Sequence, residues 1–140
     1  AFLRRSGADT GDVKKLFQND LEGTIAKYDI IQNAKMYHEG IAVAKVDHTV
    51  GRITAAQAAD ELLNISGIDT SFVLFPDQEG RVILSARSMG DVNVQVVLEK
   101  LGGGGHRTIA GAQLSGISME EAKDRVKAVI DEMLQKGDIS

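Results

Sequence analysis

The 140-residue chain has no cysteine, no tryptophan and a single proline, and its aromatic residues make up only 4%. Without cysteine there is no disulfide scaffold and no thiolate-held metal, and the composition fits a reducing cytoplasm. So few rings exclude an extended platform for stacking bases. Positive charge is also scarce: 16 Lys and Arg face 20 Asp and Glu, a formal net charge of −4. A general nucleic-acid coat needs the opposite balance. No apolar run approaches the ~18 residues of a membrane span, and no signal peptide is visible. What is present is enough chain for one domain with its own core, cytosolic by default.

The chain opens at Ala1-Phe2-Leu3-Arg4-Arg5 without an initiator Met, in what reads as a short helix ending near Ser6-Gly7. This reads as a cut from a longer protein or as a processed terminus. A polar helical stretch follows from Asp9 through Val13, Leu16 and Phe17, then a longer helical pattern from about Asp20 to Tyr37. At about 100° per residue, Leu21, Ile25, Tyr28 and Met36 share one stripe, with Ile30, Ala34 and Tyr37 opposite. Two stripes fit a helix clasped between two bodies, or one buried more deeply in a single body.

Gly40 is expected to end that helix, and Ile41 to Val46 reads as a buried strand. Thr54 and Gln57 have capping-box spacing, which predicts a helix that lays Ala55, Ala58, Leu62 and Ile65 on one face, with Gly67 at its C-terminal end. Two strands, Thr70 to Phe75 and Arg81 to Arg87, flank the hairpin loop Pro76-Asp77-Gln78-Glu79-Gly80. Asp91 to Leu101 fits both strand and helix periods. Its Glu99-Lys100 end and the glycines after it favour a helix. Ile109 to Leu114 reads as a strand, and Ser118 to Glu121 as a capping box for a last helix with Ala122, Val126, Val129, Ile130 and Met133 inward. The order predicts an α/β fold, a small mixed sheet flanked by helices and preceded by a linker helix.

The most unusual feature is Gly102-Gly103-Gly104-Gly105 followed by His106. Bare backbone lets a ligand approach closely, and successive N–H groups can converge on an anion beside an imidazole donor. The run reads as a phosphate or phosphodiester cradle or as a flexible linker. Neither the P-loop nor the dinucleotide-binding glycine pattern fits it. Ser85-Ala86-Arg87-Ser88 is the second candidate. Strand alternation puts Ser85 and Arg87 on one side, where the guanidinium can bind phosphate in bidentate fashion or stay solvated. His38, His48 and His106 are scattered, and neither a nucleophile elbow nor a carboxylate cluster is present, so no catalytic or metal-binding residue is expected in this chain.

Taken together, Ser85-Ala86-Arg87-Ser88, Asp91-Val92-Asn93, and Gly102-Gly103-Gly104-Gly105-His106 with Ala110-Gly111 resemble the substrate-binding, DHH-associated domain of DHH-superfamily phosphoesterases. The resemblance covers roughly Gly40 to Lys136 and is greatest to the membrane-anchored cyclic-di-AMP phosphodiesterases of Firmicute bacteria. It implies that residues 1–38 are the end of a catalytic DHH domain plus a linker helix, and residues 39–140 the substrate-binding domain. Catalysis in that family uses two Mn²⁺ ions held by an Asp-His-His motif that this chain lacks, so the chain alone is expected to be inactive. By carry-over, Arg87 and Ser88 bind phosphate or sugar, Gly102, Gly103, Gly104 and Gly105 offer N–H groups, His106 contacts phosphate or base, and Ala110 and Gly111 shape the wall. Asn93 is placed either there or at a helix start. The implied partners are a cyclic or linear dinucleotide and the catalytic domain. A homodimer is compatible with this, and the fragment itself is expected in the cytoplasm without membrane contact. The alternatives are an RNA-binding module, as at the end of alanyl-tRNA synthetases, and the substrate domain of an oligoribonuclease or RecJ-like exonuclease. A plain interaction domain with a glycine hinge is a third.

Overall fold

The computed structural model describes residues 10–136. The helix expected near Ser6-Gly7 and the segment Phe2 to Ser6 lie outside the described residues. A first helix, α1 (Thr10–Gln32), leads into a six-stranded sheet whose strands are β1 (Ala34–His38), β2 (Gly40–Lys45), β3 (Ile68–Pro76), β4 (Val82–Ser88), β5 (Gly104–Gly105) and β6 (Ile109–Leu114). Three more helices are interleaved: α2 (Arg52–Leu62), α3 (Val94–Glu99) and α4 (Met119–Lys136). The spatial order is β1-β2-β3-β4-β6-β5. Only β2 and β3 run parallel, because α2 crosses between them; every other pair is antiparallel. The expected α/β architecture with a small mixed sheet is what forms.

Each face of the sheet has its own core. Phe72, Leu74, Leu84 and Ala86 lie on the face packed against Val94, Val97 and Leu98 of α3 and Val126, Ile130 and Met133 of α4. The other face carries Ala44, Val73, Phe75 and Ile83 under Ile30 of α1 and Ala55, Ala58, Ala59 and Leu62 of α2. The small side chains of α2 let it sit close to the sheet, and Ser71 Oγ donates to Ala59 O at 2.7 Å across that contact. In α4 one half of the expected capping box forms: Glu121 N donates to Ser118 Oγ at 3.1 Å, while the Glu121 carboxylate turns to Arg125.

Two local expectations are corrected. The helix predicted to reach Tyr37 stops at Gln32, where Asn33 Nδ2 folds back to donate to Asp29 O at 2.7 Å. Ala34–His38 instead forms an edge strand on β2, with a bulge between Met36 and His38. Strand alternation sends Ala34 and Tyr37, an odd number of residues apart, into cores on opposite faces, so the three-residue spacing that imitates a helical stripe joins residues that share no face. Met36 therefore leaves the stripe assigned to it, while Leu21, Ile25 and Tyr28 remain on α1, more than half exposed. The second correction concerns α2. It begins after Gly51, which supplies no side-chain cap, so Thr54 lies inside the helix rather than at its cap.

Candidate functional site

Helix α2 roofs β3 and β4 and stops short of the far side of the sheet. There β4 and β6 run side by side, with Ser85 opposite Gly111 and Arg87 opposite Ile109. Alternation turns Ser85, Arg87, Ile109 and Gly111 toward the unroofed face, while Ala86 and Ala110 point into the α3–α4 core. The result is a groove of about 670 Å³, bordered by Arg52 and Arg87, floored by Ser85 and Gly111, and walled by Gly102 and Gly103. Ala110 also reaches this groove.

Arg87 is held in place before any ligand arrives. Its Nε donates to Asp60 Oδ1 on α2 at 3.0 Å, and Nη1 to Ala86 O at 2.9 Å. Only 14% of the side chain is exposed, while Asp60 is 62% exposed. Nη2 is left without a partner among the described residues. A guanidinium fixed on one edge and open on another is suited to an incoming oxyanion. Arg52, at the start of α2, faces the same groove with no ion-pair partner among the described residues. Sequence reasoning missed it: an isolated Arg after a glycine carries no spacing signal, and 35 positions separate it from Arg87.

The four glycines divide into three roles. Gly102 takes φ +85° as α3 ends, and the N–H groups of Gly102 and Gly103 donate to Glu99 O and Leu98 O. Those two donors are thus committed to the helix end and do not form an anion nest. Gly103 and Gly105 let the chain lie against β6: a Cβ would stand 2.1 Å from Gly111 O at the first and 2.4 Å from Ile109 O at the second. A Cβ at Gly104, which pairs with Gly111, meets nothing within 4 Å. Its bareness is not required by packing. Gly104–Gly105 therefore form a short strand paired to β6, and Gly104 is the position in it where a side chain would meet open space.

The remaining candidates lie nearby without bordering the groove. His106 is exposed, its N–H donates to Ile109 O at 2.6 Å, and its ring has no partner among the described residues. Ser88 is 5% exposed on the opposite face from Arg87, and its Oγ accepts from Gly90 N at 3.0 Å. Asn93 is a helix cap, its Oδ1 accepting from Gln95 N at 3.1 Å. Arg107 Nε donates to Gly90 O at 2.8 Å, which ties the loop after the glycines to the loop after β4. Among the described residues no three His, Asp or Glu side chains come together as metal ligands. These residues do not fit the implied manganese. No helix among the described residues is long and apolar enough to cross a membrane.

The cyclic-di-AMP phosphodiesterase GdpP of Geobacillus thermodenitrificans is 42% identical over 139 residues, which is 98% of this chain and 21% of that protein. The cyclic-di-AMP phosphodiesterase PdeA of Listeria monocytogenes is 38% identical over 133 residues, 94% of this chain and 20% of that protein. The chain thus spans about a fifth of these relatives' length. Among solved structures, an exopolyphosphatase-related protein from Bacteroides fragilis superposes with a TM-score of 0.72 at 20% identity, covering 94% of this chain and 41% of that one, a likeness of fold. The family model of the DHHA1 domain matches residues 38–136. The chain belongs to the DHHA1 domain family.

Proposed function

We propose that the groove between β4 and β6 recognises the phosphodiester portion of a dinucleotide, in the manner of a cyclic-di-AMP phosphodiesterase. The observation that carries this reading is the pairing of Arg87 with Arg52 along a wall that glycine keeps bare. Arg87, oriented by Asp60, offers its free Nη2 edge to one phosphate. Arg52 offers a second cation to the neighbouring phosphate or to the same one. Gly104 lets the ligand lie against the backbone, and His106 swings its unpartnered ring over the rim to donate to phosphate or base. Ser88 acts by fixing the turn rather than by touching the ligand. Arg87 and the glycine wall bind and orient; none of them is placed to move a proton or attack phosphorus.

The cleavage chemistry belongs, in this reading, to chain outside these 140 residues. Manganese held there would supply Lewis-acid chemistry for phosphodiester hydrolysis, and none of the residues described above would hold it. Residues 1–38 lead from that catalytic part, and the whole protein is anchored in the cell membrane with this domain in the cytoplasm. An RNA-binding role is less well supported, because two guanidinium groups on a chain of net charge −4 make a poor phosphate track.

Titration calorimetry with cyclic-di-AMP and its linear product tests the reading. Weak saturable binding is expected, reduced about tenfold or more, ~1.4 kcal/mol, by Arg87→Gln or Arg52→Gln. Equal affinity in both variants overturns it. Incubation with Mn²⁺ is expected to leave cyclic-di-AMP intact, and turnover by this chain alone would sink the division of labour.

A further inference from the structure

The opposite face and opposite edge of the sheet hold a second concavity that shares no residue with the groove. Between β1, β2 and the start of α4 lies a cleft of about 180 Å³ lined by Lys35, Lys45, Lys123 and Lys127, with Asn33 and Tyr37. Four of the chain's 16 basic residues converge there, and no carboxylate is among its lining residues. Lys123 and Lys127 stand one turn apart on the same face of α4, a like-charge spacing that weakens a helix. Lys45 and Lys123 are only 25% and 26% exposed, so part of their hydration is already lost.

The countercharge is incomplete. Glu120 serves two lysines, touching Lys45 and lying 2.9 Å from Lys123, and Asp47 is 3.7 Å from Lys45. Lys127 lies over the Tyr37 ring, 5.0 Å from its centroid, and has no ion-pair partner among the described residues; neither does Lys35. The Tyr37 hydroxyl and the His38 ring are both turned to Asp131, at 2.6 and 2.7 Å, which keeps that carboxylate occupied at the rim. Lys35 therefore faces the cleft unmatched, and Lys127 has for countercharge only Asp131, a carboxylate already shared with Tyr37 and His38. Each lysine brings up to three donors and no acceptor.

We propose that this cleft is a second anion site, taking a compact multivalent oxyanion of the phosphate class. The oxyanion is either free phosphate or pyrophosphate, or the phosphate end of a nucleotide. The volume is well below the roughly 300–1,000 Å³ of pockets that enclose a whole organic ligand, so a nucleoside would remain outside. Bound there, the anion bridges β1 to α4 and pins the edge strand to the helix. It does so independently of the groove, with the full thickness of the sheet between them.

Amide chemical-shift titrations of the 140-residue chain at constant ionic strength test this, using pyrophosphate, ADP and chloride. Pyrophosphate is expected to give saturable shifts at Lys35, Lys45, Lys123 and Lys127. K35Q/K127Q alters two partly or fully exposed side chains and is expected to keep the spectrum of a folded chain, while weakening binding about tenfold. R87Q is expected to leave this affinity unchanged, which separates the site from the proposed groove. ADP binding about tenfold tighter than pyrophosphate would assign the oxyanion to a nucleotide, and equal or weaker ADP binding to free phosphate. Shifts that grow linearly and are matched by chloride, or unaltered binding by K35Q/K127Q, overturn the proposal.

Discussion

Beneath α3 and α4, one face of the sheet is closed from β2 to β6, with Phe72, Leu74 and Leu84 almost wholly excluded from water. The other face is roofed by α1 and α2 only as far as β4, and beyond it Arg87 and Gly111 border an open groove with Ile109 half exposed. The same six strands thus hold the molecule together on one side and present backbone and guanidinium on the other. A domain of this size has few apolar residues to spare. Concentrating them under two helices leaves a stretch of sheet free for recognition.

Substitutions that cross between the two faces would sharpen this contrast. Phe72→Ala, on the closed face, is expected to cost about 3–5 kcal/mol in chemical denaturation, whereas Ile109→Ala on the open face should stay within about 0.5 kcal/mol. Comparable losses would mean that the open face bears as much of the fold as the closed one. Next comes the glycine strand. Gly103→Ala forces a Cβ against Gly111 O and should destabilise by about 1–3 kcal/mol, while Gly104→Ala should leave the melting temperature unchanged and weaken dinucleotide binding. A stable Gly103→Ala variant would contradict the packing role of that residue.

The smallest expected effect concerns acid. Lys45 and Lys123 hold the Glu120 carboxyl down to about 2 from its ordinary 4.5. A carboxylate depressed by folding adds stability above its unfolded value and loses it as pH falls through the folded one. The stability difference between the parent chain and Glu120→Gln should therefore be present above about pH 4.5, shrink below it and vanish near pH 2. Because the side chain is solvent-exposed, the difference is small, and high salt should reduce it. A difference independent of pH would show that Glu120 acts through packing instead.

Much of this arrangement was legible in the sequence because it rests on local periodicity. The alternation of Ser85 and Arg87 against Ala86 and Ser88 fixes which side chains face the groove, and the Ser118 cap marks the start of α4 without reference to the rest of the chain. What escaped has non-local causes. Strand β1 stayed hidden because the pairing with β2 that reveals it is not written in its own residues. Gly102 and Gly103 read as free donors until the end of α3 was seen to claim their hydrogens. Arg52 meets Arg87, and Lys35 and Lys45 meet the Lys123–Lys127 pair, only through the tertiary fold, at separations no spacing rule covers.

The two margins of the sheet also bear on how the protein behaves at high concentration. One ends in a strand bent by its bulge and carrying Lys35, and the other in a ribbon of two glycines. Neither offers the long, flat row of unpaired amides that templates edge-to-edge stacking into fibrils. Resistance to aggregation is thereby built into the termination of the sheet, and lengthening β5 with β-branched residues would be the most direct way to lose it.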